Sequence, residues 1–215
     1  METSQKAKQI TAEITKAKTQ FGDLRKVAKE VKKDHSLGLE LWSTGNFMPM
    51  LLATLIFDPK SLSEEILDNI FLDIEKHTGD ERLLITDWLM ANQLMKDKKL
   101  TSMIVSWQNN SSPLKRRIFW YHQARLRWTG QTPPDNTEEL LVSIENEMKN
   151  EDPEVQWAMN FTAGWIGIFD PAFRARCIII GETHGMYKDE IVHKNCTPSY
   201  LPEFINSVVT KRKLR

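Results

Sequence analysis

Apolar residues along this chain recur at the three- and four-residue spacing of amphipathic helices and leave few candidate strands. Such runs cover residues 4–19, 23–34, 36–44, 47–57, 61–74, 80–95, 97–108, 113–128, 137–150, 153–168, 171–183 and 202–214, which predicts roughly a dozen helices. Their starts are chemically marked. Ser112-Pro113, Asp152-Pro153 and Asp170-Pro171 each set a capping residue before a proline, whose fixed φ and missing N–H suit the first helical position. Thr78-Gly79-Asp80-Glu81, Asn136-Thr137-Glu138-Glu139 and Ser61-Leu62-Ser63-Glu64 place a capping residue three before a glutamate, the spacing of a capping box. Gly181 and Gly185 read as residues that end a helix, since no strand precedes them and no Gly-Lys-Ser/Thr follows.

The order of elements carries a second signal. Pro113 and Pro153 stand forty residues apart, and each is followed by a tryptophan doublet of eight-residue spacing, Trp120/Trp128 and Trp157/Trp165. A period near 40 built from two helices is that of HEAT and armadillo repeats, whose stacked helical pairs bury a continuous core. The expectation is therefore an all-α fold: one HEAT-like or armadillo-type α-solenoid domain over residues 1–215. Trp157, Phe161 and Trp165 lie at i, i+4 and i+8 on one helix face, with Gly164 and Gly167 beside them to admit another backbone.

Composition supports a folded, helix-rich chain. Its 215 residues are 40% hydrophobic and contain only nine glycines and nine prolines. No apolar run approaches the ~20 residues that span a bilayer, and the N-terminal METSQKAKQITAEITKAK has no hydrophobic signal region, so a cytoplasmic protein is expected. Cys177 and Cys196 are expected to be free thiols. His184, His193 and Cys196 match no structural zinc spacing, and neither a metal nor another cofactor is expected.

The formal net charge is zero, yet it averages opposed regions. Residues 1–33, 96–128 and 211–215 are basic, whereas 58–87 and 135–154 are acidic. Between Lys96 and Trp128, eight basic residues face a single acidic one, Asp97, with Trp107, Phe119, Trp120, Tyr121 and Trp128 interleaved. Such a segment can neutralise phosphates and offer π faces to bases; equally, it can be a solvated helix face over core aromatics. Lys115, Arg116, Arg117 and Arg125 form its densest cluster and are the candidate phosphate contacts.

Read in order, several segments resemble the DNA alkylation-repair family of HEAT-like-repeat proteins, the AlkD type. Val155-Gln156-Trp157-Ala158-Met159-Asn160-Phe161 with the Ala163–Ile168 run carries the likeness most clearly. Asp23-Leu24-Arg25-Lys26, Leu39-Glu40-Leu41-Trp42 and Leu51–Ile56 resemble the family's first units, Thr86-Asp87-Trp88-Leu89 its central one and Pro113–Arg117 the next. Residues 181–198 resemble a C-terminal extension of one branch.

The resemblance implies release of cationic N3- or N7-alkylated purines from duplex DNA by glycosidic bond cleavage, without cofactor and as a monomer. Aromatic faces would attract the cation, an aspartate would stabilise the oxocarbenium-like transition state, and an arginine would hold a phosphate. Trp88 matches the first aromatic and Arg117 the arginine, with Arg116 one residue away. Asn92 stands where the family has its aspartate, and Phe161 where it has a second tryptophan. An amide lacks the carboxylate charge, which implies slow or absent turnover. Asp87 supplies a charge only if its helix turns it into the groove. The alternative is a non-catalytic helical-repeat scaffold that binds DNA or a protein.

Overall fold

The computed structural model describes residues 3–194 and 196–214; Met1, Glu2 and Arg215, counted above in the basic termini, lie outside them. All regular elements among the described residues are helical, twelve α-helices and three single 3₁₀ turns. The contacts gather into two compact units, Met1–Val105 and Ser106–Arg215.

The first unit holds α1 (Gln5–Ile14), α2 (Phe21–Val31), α3 (His35–Trp42), α4 (Phe47–Ile56), α5 (Glu64–Ile74), α6 (Gly79–Asn92) and α7 (Lys98–Val105). Its centre is α4, whose sequence FMPMLLATLI is apolar nearly all round and therefore has to be enclosed. Helices α2, α3 and α6 do this. Two polar ties fix the packing: the Trp42 indole N–H donates to Asp73 at 2.9 Å, and the buried Gln93 amide donates to the Thr54 carbonyl at 2.7 Å.

In the second unit α8 (Pro113–Trp128) lies along α10 (Pro153–Phe169), with α9 (Thr137–Glu147), α11 (Pro171–His184) and α12 (Leu201–Arg212) around them. The two helices opened by Pro113 and Pro153 thus pack on each other. The Thr162 hydroxyl on α10 donates to the Trp120 carbonyl on α8 at 2.6 Å. Arg176 of α11 bridges Glu138 and Glu145 of α9.

Helix starts fall where cap chemistry and proline put them, with N-caps at Thr78, Ser112, Asn136, Asp152 and Asp170. Boxes at Thr78 and Asn136 do not close, and at the third expected one Ser63 rather than Ser61 caps α5, its hydroxyl accepting the Ile66 N–H; a box joins Gln20 to Asp23. Asp152 holds the capping position of α10, but its carboxylate accepts from Arg116 instead. The first helix ends at Ile14, short of the expected residue 19.

Gly185 ends α11 with φ +63°, as its position suggested. Gly181 does not: it lies inside α11, where a Cβ would fall 2.6 Å from Leu201 Cβ and 2.7 Å from Pro202 Cδ. Gly164 and Gly167 likewise admit side chains of α12, Phe204 and Ile205, rather than another backbone. Because the atoms facing Gly181 sit at the base of their side chains, Gly181→Ala is expected to force α11 and α12 apart and to destabilise by about 1–3 kcal/mol. Chemical denaturation measures this; an unchanged midpoint would refute the tight helix crossing.

Candidate nucleic-acid interface

The residues singled out by sequence fall into two sets, one in each unit. In the first unit, α6 presents Trp88, which is only 8% exposed. Phe21 meets its ring edge-on at 5.5 Å, and the Arg25 guanidinium lies over it at 4.8 Å. Phe21 and Arg25 are four apart on α2, so one helix face delivers both. The chain's own cation therefore occupies that π surface. Asn92 ends α6 and turns its amide back, donating to the Trp88 carbonyl at 2.9 Å. Asp87 is half-buried and engaged in interactions of its own.

In the second unit Phe161 sits inside a pile of nearly parallel rings. Its neighbours are Trp157 at 4.9 Å, Tyr121 at 5.6 Å and Phe204 at 5.9 Å, all within 20° of parallel. The Arg117 guanidinium lies 4.9 Å over Trp157 and donates to the Glu154 carbonyl at 3.3 Å. A pocket of about 190 Å³ opens between Trp157, Asn160, Phe161 and Phe204 and the segment Thr197–Ser199. Asn160 donates to the Ser199 carbonyl at 2.8 Å, and the Ser199 N–H donates to Glu190 at 3.1 Å, so the C-terminal extension is fastened over the rings. That space is smaller than the ~300–1,000 Å³ of ordinary ligand pockets, so a nucleotide enters only if residues 197–199 shift.

Trp88 with Asn92, and Arg117 with Phe161, are thus brought together within their own units. The four candidate phosphate contacts fare differently from one another. Arg116 grips Glu151 through two bonds of 2.8 and 3.0 Å, reaches Asp152 at 3.0 Å and donates to the carbonyls of Asn110 and Ser111. Lys115 is buried, its ammonium 5.4 Å from the Trp107 ring centre, and Arg117 is buried against Trp157. Arg125 is half-buried, on the α8 face that also carries Tyr121 and Trp128. Phe21, Arg25 and Phe204 were not foreseen as site residues; only Arg25 stood in a segment that carried the family resemblance.

One buried titratable group lies on α8 beside these residues. Burial, and then the nearby Arg125 charge, push His122 down to about 4. Its neutral form is thus the folded one. With a folded pKa below the unfolded value, its contribution to stability is complete above about pH 6.5 and is lost as pH falls toward about 4. The loss is expected to reach about 2–3 kcal/mol. Denaturation midpoints at pH 7.5 and 4.5 should converge for His122→Gln relative to the wild type; an identical pH dependence in both would refute the assignment.

Cys177 is buried, its thiol pushed up to about 12 by burial, and Cys196 is exposed and separate from it. Among the described residues no group of three His, Cys, Asp or Glu side chains could hold a metal, and no helix is long and apolar enough to cross a membrane.

Comparison with known proteins gives a family and a fold. The family described as "DNA alkylation repair enzyme" matches residues 11–176. No curated protein matches the chain. A solved structure, from "a new family of proteins related to the HEAT-like repeat DNA glycosylases with affinity for branched DNA structures", superposes with a TM-score of 0.65 at 17% identity, covering 98% of this chain and 89% of that one. At that identity the likeness shows the fold, an all-α HEAT-like repeat.

Proposed function

This chain belongs to the DNA alkylation repair enzyme family, and from that membership and its site geometry we propose that it binds DNA and releases cationic alkylpurines slowly or not at all. The observation that carries this reading is Asn92. Its amide is spent on the Trp88 carbonyl, so no carboxylate at this position meets the positive charge that develops on the sugar as the glycosidic bond breaks. Losing such a charge costs several kcal/mol of transition-state stabilisation, about 10²-fold or more in rate. Arg25 over Trp88 opposes the same step, because a cationic base approaching that face meets a like charge.

Binding rests on Arg125 and on the rings beside it. Arg125 is a partly exposed basic side chain of the α8 cluster that, unlike Arg116, is held by no carboxylate among the described residues, and Tyr121 and Trp128 on the same helix face supply ring surface beside it. A second reading, a non-catalytic binder of branched DNA, is favoured by the structural relative named for that affinity. Equilibrium titrations with methylated duplex, unmodified duplex and a four-way junction at several salt concentrations separate the two. The proposal expects Arg125→Glu to weaken binding about tenfold and to reduce the salt slope by about one. A preference for the junction over both duplexes favours the second reading, and no binding to any of the three overturns both.

A further inference from the structure

We infer that the second unit carries a separate anion site that takes the phosphate of a nucleotide. A pocket of about 510 Å³ opens where the ends of α8, α10 and α12 meet, with Arg127, Trp128, Thr137, Phe169, Asp170 and Arg212 in its wall. That volume lies within the ~300–1,000 Å³ of small-ligand sites. It shares no lining residue with the pocket beside Phe161.

Its distinguishing feature is Arg127, a buried cation whose hydrogen-bond partners are neutral. Nη1 donates to the Gln123 carbonyl at 2.9 Å and Nη2 to the Thr137 hydroxyl at 3.0 Å. Among the described residues no carboxylate forms an ion pair with it. The Asp170 charge partly offsets the fall that burial imposes on the Arg127 pKa, but its carboxylate accepts the Ala172 N–H at 3.2 Å to cap α11. Burying a guanidinium without a counter-ion is costly, and an anion entering from the pocket removes that cost.

Arg212 supplies a second guanidinium at the exposed rim. Its charge lies 5.3 Å from the Trp165 ring centre and 5.6 Å from that of Phe169, and at the exposed rim its guanidinium can fork onto phosphate oxygens. Two guanidiniums against one committed carboxylate leave net positive charge, enough to favour a phosphate. Trp128 gives the adjoining wall an apolar surface against which a heterocycle can lie. The shared ligand chemistry is a nucleoside 5′-monophosphate, free or at the end of a strand.

Calorimetric titration of the full chain with deoxyguanosine 5′-monophosphate, deoxyguanosine and inorganic phosphate tests the site. The monophosphate should bind at least about tenfold more tightly than the nucleoside, and Arg212→Glu should abolish that advantage. Arg212 is exposed, so this variant is expected to fold; its helicity and melting temperature verify that. Arg125→Glu, which weakens the proposed DNA interface, should leave monophosphate binding unchanged. A 5′-phosphorylated oligonucleotide that outcompetes its 5′-hydroxyl counterpart identifies the strand end as the source, whereas exclusion of both identifies the free nucleotide. Absence of monophosphate binding at millimolar concentration, or binding that Arg212→Glu leaves intact, overturns the inference.

Discussion

Arg116→Ala is expected to lower the stability of the chain by about 2–4 kcal/mol while leaving the salt dependence of DNA binding unchanged. Arg116 is 15% exposed and Glu151 18%, so the pair is largely shielded from solvent, and the guanidinium fork meets both Glu151 oxygens. Removing it strands the Glu151 carboxylate and releases Asp152 together with the Asn110 and Ser111 carbonyls. A penalty of 3–5 kcal/mol follows the loss of one partner from a fully buried pair, and the half-exposed Asp152 brings the expected value down to about 2–4. In a chain of this length that corresponds to a melting temperature lower by roughly 5–12 °C. Arg116→Lys should recover only part of the loss, since an ammonium cannot form the two parallel bonds. A salt slope reduced by about one in the alanine variant would instead make Arg116 a phosphate contact.

Asn92→Asp carries the second large effect. The substitution removes the donor that meets the Trp88 carbonyl and sets a carboxylate against that oxygen at the C-terminal end of α6, where the helix dipole also disfavours negative charge. Stability should fall by about 1 kcal/mol. The same repulsion turns the carboxylate away from the helix axis, where it can face a cation bound near Trp88, so release of methylated purine should rise about tenfold or more. Arg25 competes for the new charge from its seat on Trp88. Single-turnover release from methylated DNA measures the outcome, and a variant that binds DNA yet releases purine no faster than the wild type would show that the missing charge is not what limits the reaction.

Much of the helical architecture was legible because its determinants are local. Asp170 before Pro171 and Ser112 before Pro113 state a helix start within two residues, and both helices begin there. The tryptophan doublets after Pro113 and Pro153 likewise pointed to two equivalent helices, which pack on each other as α8 and α10. The site was less legible because its partners are distant in sequence. Glu151 lies 35 residues from Arg116, so nothing around Arg116 distinguished an internal clamp from a free cation. Lys115 and Arg117 read as candidate phosphate contacts, yet Trp107 and Trp157 lie against them, which long side chains with apolar stems permit. Phe204, on α12, completes the ring pile around Phe161 through Gly164, a glycine whose partner the sequence could not name.

The proposed state is a chain that engages DNA while its Asn92 site lacks the charge needed for efficient excision. It is tested most directly by measuring, in one preparation of wild-type protein saturated with N7-methylguanine-containing duplex, both the bound fraction and the single-turnover rate of base release. A bound duplex from which the base leaves close to its spontaneous rate is expected; release accelerated about 10²-fold or more would refute the proposed role of Asn92.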